Sequence, residues 1–192
     1  MTETNFPAGR VYFEKGENDT ALVEQTLAGN LRAFSLLVDR YQKAVFNLAL
    51  RMLQDADDAE DVAQAVFLKI YERLSQYDPR YRFFSWIYRI TMNETLNFLR
   101  QRKPMDRMEE SAVVINAMED AERADIAWQI GEALKRLSTD QRSVVVLKHF
   151  EGFSYEEIAT ILNISEKKVK SRLFSARQIL RILLEQRGVH AT

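Results

Sequence analysis

Between residues 34 and 52, Phe34, Leu37, Val38, Tyr41, Val45, Leu48 and Met52 recur at steps of three and four, with Asp39, Arg40, Gln42 and Lys43 on the other side. This spacing draws one apolar stripe along an α-helix, whereas a strand would alternate every second residue. A stripe of that length has to be covered, and the flanking segments supply the cover. Asp19 reads as the N-cap of a short helix carrying Leu22, Val23 and Leu27, broken at Gly29-Asn30. The acidic run from Asp55 to Asp61 reads as a turn and helix start, where carboxylates suit the positive end of the helix dipole. Val62, Val66, Phe67, Ile70 and Leu74 then extend the helical pattern towards Tyr77. Asp78-Pro79 opens a loop, and a further helix is expected from Phe83 to about Arg102, ending before Pro104.

The C-terminal part predicts four more helices in short succession. Ile126, Ile130, Ala133, Leu134 and Leu137 form the first stripe. Ser138 to Gln141 and Ser154 to Glu157 both fit the capping box, in which a hydroxyl and a side chain three residues on satisfy orphan amides reciprocally. The last two helices, Tyr155 to Leu162 and Glu166 to Arg187, are separated only by Asn163, Ile164 and Ser165. With six glycines and three prolines in 192 residues, the chain is expected to be all-α. Four divisions are expected: a flexible arm over 1–18, a helical bundle over 19–103, a flexible acidic linker over 104–124 and a second helical domain over 125–187.

Several functions are disfavoured at once. There is no cysteine, which excludes disulfides, thiol nucleophiles and Cys-based metal sites and suits a reducing compartment. Two histidines leave little for metal chemistry, and no metal or cofactor is expected. Asp57, Asp58, Glu60 and Asp61 have no nearby His, so they read as a helix start and solvated face and not as a catalytic centre. No secretory signal or membrane span is legible, so a cytoplasmic, non-enzymatic protein is expected.

The formal charge of −1 argues against nucleic acid until it is resolved along the chain. From Glu166 to Arg187 seven Lys or Arg face two Glu, a local charge of +5. Screening confines each charge to about 8 Å, so the local value governs docking. Helix, short turn and longer basic helix, with Ile158, Ala159 and Leu162 facing Val169 and Leu173, form the pattern of a helix-turn-helix. In the helix after Phe83, Trp86, Arg89, Asn93, Asn97 and Arg100 share one face. Trp can stack on an unpaired base, Asn can bond base edges and Arg can hold phosphate. Tyr81, Phe83 and Phe84 would add stacking surface. The blander reading makes Trp86 and Phe84 core and leaves the polar residues facing water.

Four collinear segments carry a specific resemblance: residues 29–53, 58–74, 83–103 and 137–181. Together they resemble the extracytoplasmic-function sigma factors, the smallest group of the bacterial sigma-70 family. The resemblance implies a domain 2 bundle and a domain 4 helix-turn-helix, core RNA polymerase and promoter DNA as partners, and promoter opening as the activity. It implies that Asp58, Asp61, Gln64, Phe67 and Ile70 meet the polymerase clamp helices. Arg80, Tyr81, Phe83, Trp86, Arg89, Asn93, Asn97 and Arg100 would take the minus-ten element as single strand. Lys167, Lys168, Lys170, Ser171, Arg172, Phe174 and Arg177 would read the minus-thirty-five element, with Ser175 standing where many relatives carry a basic residue. An anti-sigma factor, a monomeric free state and no membrane insertion are also implied. A helix-turn-helix regulator with a helical sensor domain would explain residues 137–187 equally well, but not the stacking face at 86–100.

Overall fold

Helix starts fall where the sequence places a side-chain acceptor. In the computed structural model, which describes residues 19–101 and 129–185, α1 (Asp19–Leu27) ends at Gly29, whose φ of 95° few other residues adopt without strain. Asn30 then caps α2 (Leu31–Leu53), its Oδ1 accepting from the amides of Arg32 and Ala33 at 3.1 and 3.3 Å. Asp55 caps α3 (Ala56–Arg73) by accepting from the Asp58 amide at 3.0 Å. A 3₁₀ turn, Leu74–Gln76, and the loop to Arg82 lead into α4 (Phe83–Gln101).

These four helices form one of two compact units. α2 packs on α1, α3 and α4 through most of its predicted stripe: Leu37, Tyr41, Val45, Leu48 and Met52 are buried, while Phe34 and Val38 are half-buried. Val62, Val66, Ile70 and Leu74 of the α3 segment and Phe83, Ile87 and Ile90 of α4 complete the core. Each fully buried side chain of this size stabilises by about 1.5–3 kcal/mol. The inward face of α4 also holds Thr91 and Thr95, whose hydroxyls donate to the carbonyls four residues back at 2.9 and 2.8 Å. Their inward position sends Asn93 and Asn97 to the surface.

Asp19 departs from the expected capping role. It is itself helical and buried, its carboxylate accepting from the Tyr41 hydroxyl at 2.6 Å and pairing with Arg40. Arg40, expected on the water side of α2, is therefore half-buried. Leu27 is exposed and does not belong to the core.

The second unit contains a helical stretch over 129–135, α5, then α6 (Thr139–Val145), α7 (Tyr155–Leu162) and α8 (Glu166–Glu185). Both capping boxes form, at Ser138 with Gln141 and at Ser154 with Glu157. α6 does not stop at Val145 but widens into a π turn, Val146–Phe150, closed by Gly152 at φ 73°. α7 buries Ile158 and Ile161, so Ile161 takes the inward place expected of Leu162. Ile126, Arg187 and the arm and linker expected at 1–18 and 104–124 lie outside the described residues.

Candidate nucleic-acid interface

The first candidate surface begins at the turn between α3 and α4. Tyr77 lays its ring against Phe83 (centroids 5.0 Å) and Trp86 (5.6 Å), and Phe83 in turn meets Tyr41 at 5.8 Å. This cluster corrects part of the expected site. Phe83 is 2% exposed, so it is core and presents no face to a base. Trp86 and Phe84 are half-buried, Trp86 stacked on Phe83 and Phe84 against Tyr88 at 4.5 Å.

Beyond the cluster the loop is tied down and outward-facing. The Tyr77 hydroxyl donates to the Tyr81 carbonyl at 2.6 Å. The Asp78 carboxylate accepts from the Arg80 amide at 3.0 Å and from its guanidinium at 2.6 Å. Those bonds hold the Asp78 carboxyl below its usual range and raise the Arg80 guanidinium. Tyr81 is left with its ring 66% exposed. Along α4, Arg89, Asn93, Asn97 and Arg100 are exposed as expected, and Arg100 donates to Asn97 Oδ1 at 3.1 Å.

On α3, Asp61 and Gln64 are exposed and Asp58 is half-buried in the first turn. Ile70 is 1% exposed and therefore core, and Phe67 is packed against the core from a half-buried position. The structure adds Leu68 and Tyr71 to the outer face of α3, Leu68 at 68% exposure and Tyr71 edge-on to Phe34 at 5.0 Å. Their only sequence signal is that both are out of phase with the buried stripe.

The second candidate surface is α8. Ser165 starts it, its hydroxyl accepting from the Lys168 amide at 3.3 Å. Asn163 reverses the chain after α7 at φ 52°, in the left-handed region that Asn tolerates. Val169, Leu173 and Ala176 are buried, which leaves Lys167, Lys168, Lys170, Ser171, Phe174 and Arg177 exposed, Phe174 by 67%. Lys170 lies 3.5 Å from Glu166, and both Lys170 and Lys148 sit over the Tyr155 ring at 5.6 and 5.0 Å.

Arg172 differs from its neighbours. It is paired with Asp140 at the start of α6, while Gln141 Nε2 donates to Ser175 Oγ at 3.3 Å. The N-terminal turn of α6 thus covers one flank of α8 and occupies a guanidinium expected to read DNA. Near the other end of the π turn, the Arg177 guanidinium approaches His149 Nε2 at 3.5 Å. Burial, with Arg177 and Lys148 nearby, pushes His149 below the usual imidazole range. Among the described residues no group of three or more His, Cys, Asp or Glu is placed to hold a metal ion.

Residues 37–104 match the family Sigma-70 region 2, and residues 127–180 match Sigma-70, region 4. The RNA polymerase sigma-H factor of Pseudomonas aeruginosa is 36% identical over 178 residues, 85% of this chain and 92% of that protein. The ECF RNA polymerase sigma-E factor of Escherichia coli is 33% identical over 176 residues, 84% and 92% of the two chains. Among solved structures, CnrH in complex with the cytosolic domain of CnrY superposes with a TM-score of 0.68 at 31% identity, covering 88% of this chain and 97% of that one. RpoE of Bartonella quintana, in complex with the anti-sigma factor NepR, gives 0.69 at 26% identity, covering 79% and 96%. Both sigma regions, in order and on the two units described, place the chain in the extracytoplasmic-function group of the sigma-70 family: it is a sigma factor, a transcription-initiation factor of RNA polymerase.

Proposed function

We propose that this sigma factor binds core polymerase through the outer face of α3, opens promoter DNA against α4 and its preceding loop, and grips the upstream element with α8. The observation that carries the reading is the pairing of two different exposed chemistries on two units. The first is aromatic and amide, with Tyr81, Trp86, Asn93 and Asn97, suited to unpaired bases. The second is cationic, with Lys167, Lys168, Lys170 and Arg177 around Phe174, suited to duplex phosphates and a major groove. Arg80, Arg89 and Arg100 add phosphate contacts to the first surface, and Ser171 adds a base-edge partner to the second. Asp58, Asp61 and Gln64, extended by Leu68 and Tyr71, form the polymerase-facing stripe, with Phe67 supporting it from below. Phe83 and Ile70 act through packing alone.

Extruding a base costs a few kcal/mol, and stacking on an aromatic returns about 1–3 kcal/mol per base. The exposed Tyr81 ring, with the part of the half-buried Trp86 ring that Phe83 does not cover, is therefore the surface suited to hold one strand once it separates. The protein works as a monomer in the cytoplasm, catalyses nothing itself, and joins the sigma 2 domain at 19–103 to the sigma 4 domain at 125–187 through the linker at 104–124. RpoE is solved in complex with the anti-sigma factor NepR, which supports the reading that this chain too takes an anti-sigma factor, one that holds it inactive until released. The test is transcription from a specific duplex promoter by purified chain plus core polymerase. Either component alone should be inactive, and failure of the chain to associate with core would overturn the reading.

A further inference from the structure

A groove runs between α3 and α4, lined by Lys69, Arg73, Ile90, Asn93, Glu94 and Asn97. Its charges do not cancel. Lys69 and Glu94 bridge the two helices at 2.6 Å, and both side chains are largely buried, so this pair is neutral and already matched. Arg73 lies one helical turn beyond Lys69 on α3 and is exposed, and among the described residues its guanidinium has no carboxylate or carbonyl partner. Across from it, Asn97 offers its accepting oxygen to Arg100, which has only donors, so the Asn97 NH₂ is the part left to bond a ligand. Asn93 adds a second exposed amide. The groove is thus a set of donors with one unmatched positive charge.

Such a set selects an anionic acceptor, and the planar fork of Arg matches a phosphate with two parallel bonds. The lining gives a base no face to stack on: its one apolar member is Ile90, itself buried, and it includes no aromatic ring. Because Asn93 and Asn97 also belong to the α4 face assigned to promoter DNA, the anion that reaches this groove is a backbone phosphate of that DNA. We propose that Arg73, with the Asn97 amide, seats a promoter phosphodiester in the α3–α4 groove and so extends the DNA surface of α4 onto α3. The proposal rests on the sigma-factor reading and adds a positioning residue that the sequence did not suggest.

The test uses holoenzyme assembled with the unaltered chain, R73A or R73K, on the promoter fragment identified in the transcription experiment. One lost phosphate contact lowers the slope of log K against log salt by about 0.7 for single strand and 0.9 for duplex. At about 0.1 M salt the same relation makes R73A bind roughly five- to eight-fold more weakly. R73K should keep the slope, since it keeps the charge, while losing part of the affinity. Affinity for core polymerase, measured without DNA, should be the same for all three. An R73A holoenzyme with unaltered slope and DNA affinity would overturn the proposal, as would an R73A defect confined to core binding. Failure of the unaltered chain itself to bind core would instead overturn the sigma-factor reading and this proposal with it.

Discussion

Tyr77→Phe removes one oxygen and so releases the main tie on the loop before α4. The ring keeps its place against Phe83 and Trp86, at 5.0 and 5.6 Å, so the core cluster stays packed. What is lost is the 2.6 Å bond from the hydroxyl to the Tyr81 carbonyl, together with the hydroxyl's contact with the Thr20 side chain on α1. A hydrogen bond of this kind contributes about 1 kcal/mol net. If the held loop is the form that binds the separated strand, about 1 kcal/mol is a factor of about five in the equilibrium between held and released loop, and apparent affinity falls by up to that factor. The Asp78–Arg80 pair cannot take over, because both side chains face water that competes for them. We expect a two- to five-fold fall in strand opening, read by the fluorescence of 2-aminopurine placed in the melted region. Upstream duplex binding and the urea midpoint should stay close to those of the unaltered chain. Opening at the unaltered level would refute the reasoning, and equal losses in both DNA segments would show that the hydroxyl acts on overall folding.

Tyr41→Phe should lower stability by about 1.5–3 kcal/mol, since the hydroxyl bonds the buried Asp19 carboxylate, and a shifted urea midpoint with unchanged m would show it. Burial and the bond to Asp19 raise the Tyr41 hydroxyl well above its ordinary value. Its contribution is therefore complete below about pH 10 and falls as pH rises further, by up to about 1.4 kcal/mol per pH unit. Tyr41→Phe should flatten that alkaline decline, and an unchanged decline would count against the burial argument. On α8, Arg177→Ala should reduce the salt slope of promoter binding by about 0.9, whereas Arg172→Ala, whose guanidinium is paired with Asp140, should leave it nearly unchanged. Equal slopes for the two variants would show that the Asp140 pair opens on DNA.

The parts of this structure that were legible in the sequence are those decided within one helical turn. Leu37, Tyr41, Val45, Leu48 and Met52 announce a buried face by their spacing, and both capping boxes join residues three apart. Contacts made across the fold were not legible. Asp19 meets Tyr41 across 22 positions, and Arg172 meets Asp140 across 32, so each pairing exists only once the helices have docked. Phe83 differs from its expected exposure for the same reason: it lies beside a loop in the sequence, but Tyr41 and Tyr77 enclose it. The π turn at Val146–Phe150 has no local signature at all.

The contact of α6 with α8 divides the recognition helix lengthwise. Any substitution at 172 or 175 has to remain compatible with Asp140 and Gln141, whereas 167, 171 and 174 face outward, and 170 and 177 touch only Glu166, Tyr155 and His149 beside the helix. If α8 reads the promoter as proposed, new preferences can arise by drift at the outer positions without refolding the domain. The helix is in effect a keyed shaft, fixed in rotation by one flank and free to be recut along the other.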